Sequence, residues 1–196
     1  MTCSKLQLSI PEILVLRHGQ TEWNVKGRLQ GNFDSPLTRL GSRQAQTQNK
    51  ILKTCDLSGF RVFCSPHLRA QHTARIALDG LGLVTETSPD LTEIDLGAWS
   101  GRYREEIASE IGVQATDLTH EVLYNSLPSG EGINGLYNRC AKFLKRLEGP
   151  SILVTHGVIS RCLRLNAMKE PVANVWELPG GQGVIYRVKQ LRHTLV

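Results

Sequence analysis

Apolar residues in this chain fall into two kinds of pattern, and the two alternate. Ile13–Arg17, Arg61–Cys64, Leu83–Thr87, Ile152–Thr155 and Gly183–Val188 are short, nearly continuous runs, the signature of strands covered on both faces. Between them lie stretches with helical spacing. Thr38 can cap a helix running to about Thr54, and Ser65-Pro66 opens another, with the proline in its first turn. Arg102–Ile111 also reads as helix. The strongest period covers Ile133 to Leu147, where Ile133, Leu136, Tyr137, Cys140, Leu144 and Leu147 share one face before Gly149-Pro150 stops the helix. Val158 to about Met168 returns as a helix after the Ile152–Thr155 run. Residues 18–36, with Gly19, Gly27, Gly31 and Pro36, and residues 89–101 read as loops.

This alternation predicts an α/β fold, a mainly parallel sheet with helices on both faces. Ligands of such sheets bind beyond the carboxyl ends of the strands. Two of the predicted strands end there in the same way. "LRHG" (residues 16–19) and "VTHG" (residues 154–157) each run straight into a histidine followed by glycine, so His18 and His156 are expected in one crevice. Arg69, on the first turn of the helix after Arg61–Cys64, and Glu93, in the turn-rich "LTEIDLGAW", can join them if their strands are neighbours. Asn24 and Arg28 sit on the loop leaving the first strand.

Composition narrows the class. The 196 residues suit a single domain, 40% apolar and 21% charged, with a core of useful size. No aliphatic run is long enough to span a bilayer and no secretory signal is read, so a cytoplasmic protein with no membrane partner is expected. Five cysteines, at 3, 55, 64, 140 and 162, are odd in number and form no Cys-x-x-Cys pair, which argues against a disulfide framework or a zinc ribbon. No metal-ligand set stands out. The net charge of +5 is spread along the chain without basic runs, so nucleic acid is not the expected partner, whereas an anionic small molecule is.

In this order, the blocks resemble the histidine phosphatase superfamily, the phosphoglycerate mutase-like family. "LRHGQTEWN" is similar to its Arg-His-Gly signature, continued in "LQGNFDSPLTRLGSRQA". "CSPHLRAQHTA", "LTEIDLGAWSG", "LPSGEG" and "VTHGVISR" are similar to its second arginine block, its acid block, a block ahead of the long helix and its second histidine block. Together they span about residues 13 to 188. The resemblance implies a three-layer αβα sandwich and phosphoryl chemistry on small phosphorylated metabolites.

It further implies that His18 is a nucleophile forming a phosphohistidine, with its other ring nitrogen donating to an acceptor. Arg17 and Arg69 would grip the phosphoryl oxygens, and His156 would add a donor, as an imidazolium. Glu93 would be the acid and then the base, with Asp95 and Glu22 as the other carboxylates in reach. Asn24, Arg28, Gln30 and Gly157 complete the expected phosphate and substrate contacts, and a helix starting at Gly157 would aim its N-terminus at the anion. His67 and His72 read as surface residues, and His120 and His193 carry no assigned role. Cys64 lacks the loop of a cysteine phosphatase. Because only Lys189–Val196 follow the last predicted strand, too few for a lid, hydrolysis is expected over mutase activity, which would bring in bisphosphoglycerate. A binding module without catalysis is the other alternative.

Overall fold

The computed structural model describes residues 10–196. Its sheet is built from β1 (Ile13–Arg17), β2 (Arg61–Cys64), β3 (Thr85–Thr87), β4 (Ser151–Thr155), β5 (Ile185–Lys189) and β6 (Arg192–Leu195), lying side by side in the order β3-β2-β4-β1-β5-β6. The first four of these neighbours are mutually parallel. β5 runs antiparallel to β1, and β6 antiparallel to β5.

Alternation along the buried strands divides the interior in two. Ile13, Val15 and Leu153 face one side, where they pack with α4 (Arg104–Glu110), α5 (His120–Asn125), α6 (Gly132–Leu144) and α7 (Gly157–Met168) through Ile107, Leu123, Leu136 and Ile159. Leu14, Leu16, Ile152 and Val154 face the other, against α2 (Arg39–Leu52) and α3 (Leu68–Ala77) through Leu52, Ala70, Ala74 and Ala77. The result is the expected three-layer αβα sandwich. Burying one leucine or isoleucine side chain contributes about 1.5–3 kcal/mol, so each face alone supplies ample drive for helices that would be marginal in isolation.

The central pair positions the chemistry. β1 and β4 are parallel neighbours with Arg17 opposite Thr155. Both strands therefore end at the same level, and the His18 N–H donates to Thr155 O at 2.9 Å. The turn after His18 passes so close to the first turn of α2 that side chains are impossible. A Cβ on Gly19 would overlap Gly41 O, and one on Gly41 would overlap Gln20 O. Two glycines thus let the loop after β1 lie directly on a helix, and Thr73 Oγ1 accepts the Gly19 N–H at 3.0 Å.

Several expected boundaries move, each for a local reason. The loop 18–36 contains a one-turn helix, α1 (Glu22–Val25), closed by a capping box between Thr21 and Asn24. α3 starts at Leu68 with His67 as its cap, so Pro66 precedes the helix instead of opening it. Arg102 lies outside α4 because its carbonyl accepts from Leu29 N at 2.9 Å, tying the loop after β1 to that segment. α6 stops at Leu144, leaving Leu147 beyond the helix while still packed on the core. The final strand is followed by another: Gln190 and Leu191 turn with φ of 50° and 62°, and Arg192–Leu195 pair back on β5. Neither turn residue is the glycine or asparagine that would have marked a hairpin. α5, six residues long, was likewise absent from the expectation.

Candidate active site

His18 leaves β1 buried, 3% exposed. Its Nδ1 lies 2.8 Å from Gly19 O. A carbonyl can only accept, so Nδ1 carries the proton and Nε2 presents a bare lone pair. Burial first, then the charges of Arg17 and Arg69, hold this imidazole well below its usual range. The ring is neutral at ordinary pH, with one nitrogen fixed and one free.

Arg17 precedes it and donates no side-chain hydrogen bond among the described residues. Its Nε is buried with no hydrogen-bond partner, and it makes no ion pair within the described residues. Its guanidinium lies against Gly157, where a Cβ would come 3.3 Å from Cζ. Arg69 is the opposite case. Its Nε donates to His156 Nδ1 at 3.2 Å, Nη1 to Phe33 O at 2.7 Å and Asp34 Oδ1 at 2.9 Å, and Nη2 to Gly31 O at 3.0 Å while facing His67 Nδ1 at 3.3 Å. The fork expected to be open for oxygen atoms is engaged at every N–H. It fastens the 31–34 loop over the site and supplies charge.

His156 sits with its ring centroid 5.2 Å from that of His18. Its Nδ1 accepts from Arg69, so its Nε2 carries the proton and donates to Ser65 Oγ at 2.7 Å. Burial, then Arg69, then His18 hold it well below the usual imidazole range. The imidazolium expected from the resemblance is therefore not the state of this ring here. His67, read from the sequence as a surface residue, belongs to the cluster: its ring is 5.1 Å from that of His156. Its place two residues before Arg69 was the available signal.

Glu93 reaches the other side of Arg17. Its carboxylate accepts from its neighbour Ile94 N at 2.9 Å, from Val158 N at 3.0 Å and from Ile159 N at 3.1 Å. The N-terminus of α7, expected to face the anion directly, is capped by Glu93 instead. Asp34 does the same for α3, accepting from Leu68 N and Arg69 N. Of the rival carboxylates, Asp95 turns away to accept from Gly97 N at 3.0 Å, and neither it nor Glu22 lines the cleft.

A cleft of about 170 Å³ joins Arg17, His18, Arg69 and Glu93 to Trp23, Asn24, Arg28, Gln30, Arg104, His120 and Tyr124, whereas His156 and His67 are not among the residues that line it. Asn24 Oδ1 accepts from Thr21 N and Gln182 Nε2, both at 3.1 Å, which leaves its amide hydrogens free. Arg28 stacks 3.7 Å above the Trp23 ring, and Gln30 Oε1 is buried without a partner. Trp99, by contrast, is core, 1% exposed. A second cavity of about 280 Å³ continues past Glu93 and Tyr124 to Gly157, Arg161 and Gly181. His120 and Tyr124, four residues apart on α5, have near-parallel rings and both pack by Trp176. Their i, i+4 spacing was the signal missed. Only Glu93 among the lining residues is acidic, against Arg17, Arg28, Arg69, Arg104 and Arg161, so the paired cavities suit an anion. Burial pushes the Cys64 thiol up to about 12, which leaves no thiolate nucleophile at that strand end. Among the described residues no cluster of His, Cys, Asp and Glu could hold a metal ion, and no helix is long and apolar enough to cross a membrane.

A family model described as the histidine phosphatase superfamily (branch 1) matches residues 13–194. The adenosylcobalamin/alpha-ribazole phosphatase of Salmonella typhimurium is 32% identical over 178 residues, covering 86% of this chain and 85% of that protein. A protein of Enterobacter sp. named "Probable phosphoglycerate mutase GpmB" is 32% identical over 157 residues, covering 78% of this chain and 72% of its own. In structure, the alpha-ribazole phosphatase of Shigella flexneri superposes with a TM-score of 0.78 at 27% identity, over 94% of both chains.

Proposed function

The chain belongs to the histidine phosphatase superfamily and has its phosphoglycerate mutase-like fold, and from that premise we propose that it hydrolyses phosphomonoesters of small metabolites through a phosphohistidine on His18, without a metal. The observation that carries this is the pairing of a neutral imidazole whose Nε2 is bare with a guanidinium whose buried Nε has no partner among the described residues. A bare imidazole nitrogen and an uncommitted guanidinium stand side by side.

In the first step the Nε2 lone pair forms a bond to phosphorus, the bond from phosphorus to the ester oxygen breaks, and the departing alkoxide takes a proton from Glu93. Arg17 and the amide of Asn24 hold the phosphoryl oxygens, with Arg28 and Gln30 at the rim. Arg69 adds its charge from behind the 31–34 loop. His156 keeps Nδ1 on Arg69 and its Nε2–H on Ser65, and so braces Arg69 beside the phosphoryl group. In the second step Glu93 takes a proton from water, the water oxygen attacks phosphorus, and the phosphorus–nitrogen bond breaks to release phosphate and a neutral His18. The arginines neutralise the charge that a metal would otherwise carry. The amide hydrogens of Val158 and Ile159 act through Glu93, while that of Gly157 stays available to the substrate.

Phosphatase is favoured over mutase because the phosphatase relative is matched over more of both chains, 86% and 85%, than the mutase-named one, 78% and 72%. The mutase reading keeps the GpmB-like relative on its side and would require bisphosphoglycerate. The test is phosphate release from p-nitrophenyl phosphate in the presence of EDTA. It is followed by α-ribazole phosphate and phosphoglycerate, the compounds in the relatives' names, with phosphoryl transfer measured separately. Trapping of an acid-labile phosphoryl group on the wild-type chain is expected. Its absence under single-turnover conditions, with turnover intact, refutes the covalent step.

A further inference from the structure

The block "LPSGEG" and the long helix after it have no part in the chemistry above, yet they converge on Glu93. Arg139, on the third turn of α6, directs all five of its N–H groups at one place. Nη1 donates to Asp90 O at 2.6 Å and Thr92 O at 3.0 Å, and Nη2 donates to Glu93 O at 3.3 Å. The remaining two donors go to the Glu131 carboxylate, Nη2 to Oε1 at 2.6 Å and Nε to Oε2 at 3.0 Å. Glu131 in turn accepts from Asp95 N at 3.2 Å. Both side chains are mostly buried, 19% and 23% exposed. Gly130 makes the approach possible: its φ is +107°, and a Cβ there would overlap Asp95 O.

We propose that Arg139 and Glu131 form a positioning unit for the acid/base step, holding the backbone of residues 90–95 against α6 so that Glu93 keeps its place between Arg17 and α7. The inference rests on the assignment of Glu93 as proton donor. Geometry is its ground. The segment around Glu93 has no regular structure apart from short 3-10 turns, Pro89–Leu91 and Gly97–Trp99. Nothing in such a segment fixes a side chain by itself. The Glu93 carboxylate is held from one helix, through Val158 N and Ile159 N, while its main chain is held from another, through Arg139. Each carbonyl that Arg139 binds would otherwise need a partner of its own. A neutral side chain at position 139 would also leave Glu131 half-buried without its cation.

A displacement of the acid by about 1 Å is enough to cost 10²-fold in rate, and only where the acid is needed. The departing p-nitrophenolate is stable without a proton, whereas an alkoxide is not. Arg139→Gln is therefore expected to lower kcat/KM, which reports only the steps up to phosphohistidine formation, by about 10- to 100-fold on an alkyl phosphate such as glycerol phosphate and by less than about 3-fold on p-nitrophenyl phosphate. Arg139→Lys, which retains charge and reaches part of the carbonyl set, should recover some of the alkyl rate. Glu131→Gln, which keeps the volume, should show the same substrate dependence more weakly and serves if Arg139→Gln does not fold. Glu93→Gln is measured alongside. If Glu93→Gln shows the substrate dependence and the Arg139 and Glu131 variants lower kcat/KM for both esters equally, the positioning role is refuted and the acid role stands. If Glu93→Gln itself lowers kcat/KM for both esters equally, the acid role falls, and the positioning role with it.

Discussion

β1 and β4 are the same device used twice, and the two copies end in different chemistry. Both strands are buried, parallel and in register, and both deliver a histidine followed by glycine at the same edge of the sheet. At the end of β1 the ring is tied by one nitrogen to its own chain, at Gly19 O, and the other nitrogen is free beside an unpartnered arginine. At the end of β4 both nitrogens are taken, one by Arg69 and one by Ser65. The strand supplies position. On the proposed mechanism, the neighbours decide whether the imidazole is a nucleophile or a support. Burial and the same arginines push both rings toward the neutral form, so charge state does not separate them.

Replacing the free ring is the largest test of this difference. His18→Asn keeps a polar side chain of similar size but no basic nitrogen, and turnover should fall by about 10⁴-fold or more, as for other enzymes stripped of a nucleophile. His156→Asn should fall by about 10²-fold, the cost of misplacing a neighbour of the reacting groups, because the ring supports Arg69. It should still form the trapped phosphoryl adduct, slowly, whereas His18→Asn should form none. Adduct formation by His18→Asn, or none by a folded His156→Asn, reverses the two roles.

The shared property has its own test, in stability. Above the usual imidazole range both folded and unfolded chains hold these rings neutral, and pH has no effect through them. Below about 6.5 the unfolded chain takes up protons that the buried rings refuse, so stability falls as pH falls, by up to about 1.4 kcal/mol per pH unit for each ring. Urea midpoints at pH 7.5 and pH 5 measure the loss. The double variant His18→Asn/His156→Asn should lose distinctly less over the same interval. An equal loss would place the acid sensitivity elsewhere. Inorganic phosphate, bound only by the folded chain, should shrink the wild-type loss.

Much of this site was legible before any coordinates because its markers are local. A short apolar run ending in Arg-His-Gly fixes both where His18 is and that a tight approach follows it, and Gly19 against Gly41 is the physical reason for that glycine. Arg17, His18, Arg69, Glu93 and His156 do converge. The hydrogen bonding of each group was not legible, since it depends on residues far away in sequence. Whether Arg69 is open or closed is decided by Gly31, Phe33 and Asp34, and whether α7 faces the anion is decided by Glu93. His120 and Tyr124 stayed without a role because one i, i+4 pair on a six-residue helix is a weak signal. β6 escaped because "RHTL" is polar and sits at an edge, where alternation is not enforced.

The smallest effect discriminates most finely between the two strand ends. Ser65 is fully buried, and its hydroxyl is the acceptor that fixes the His156 tautomer. Ser65→Ala leaves the Nε2–H of His156 without a partner, at a cost of about 1–3 kcal/mol in stability, while Arg69 still holds Nδ1. The ring stays in place, so kcat should fall by less than about 10-fold, well short of the His156→Asn loss. A loss as large as that of His156→Asn would mean that the ring works only through Ser65. The second histidine would then be one link in a relay, and the contrast with His18 would lie in the serine, not in the arginine that faces both rings.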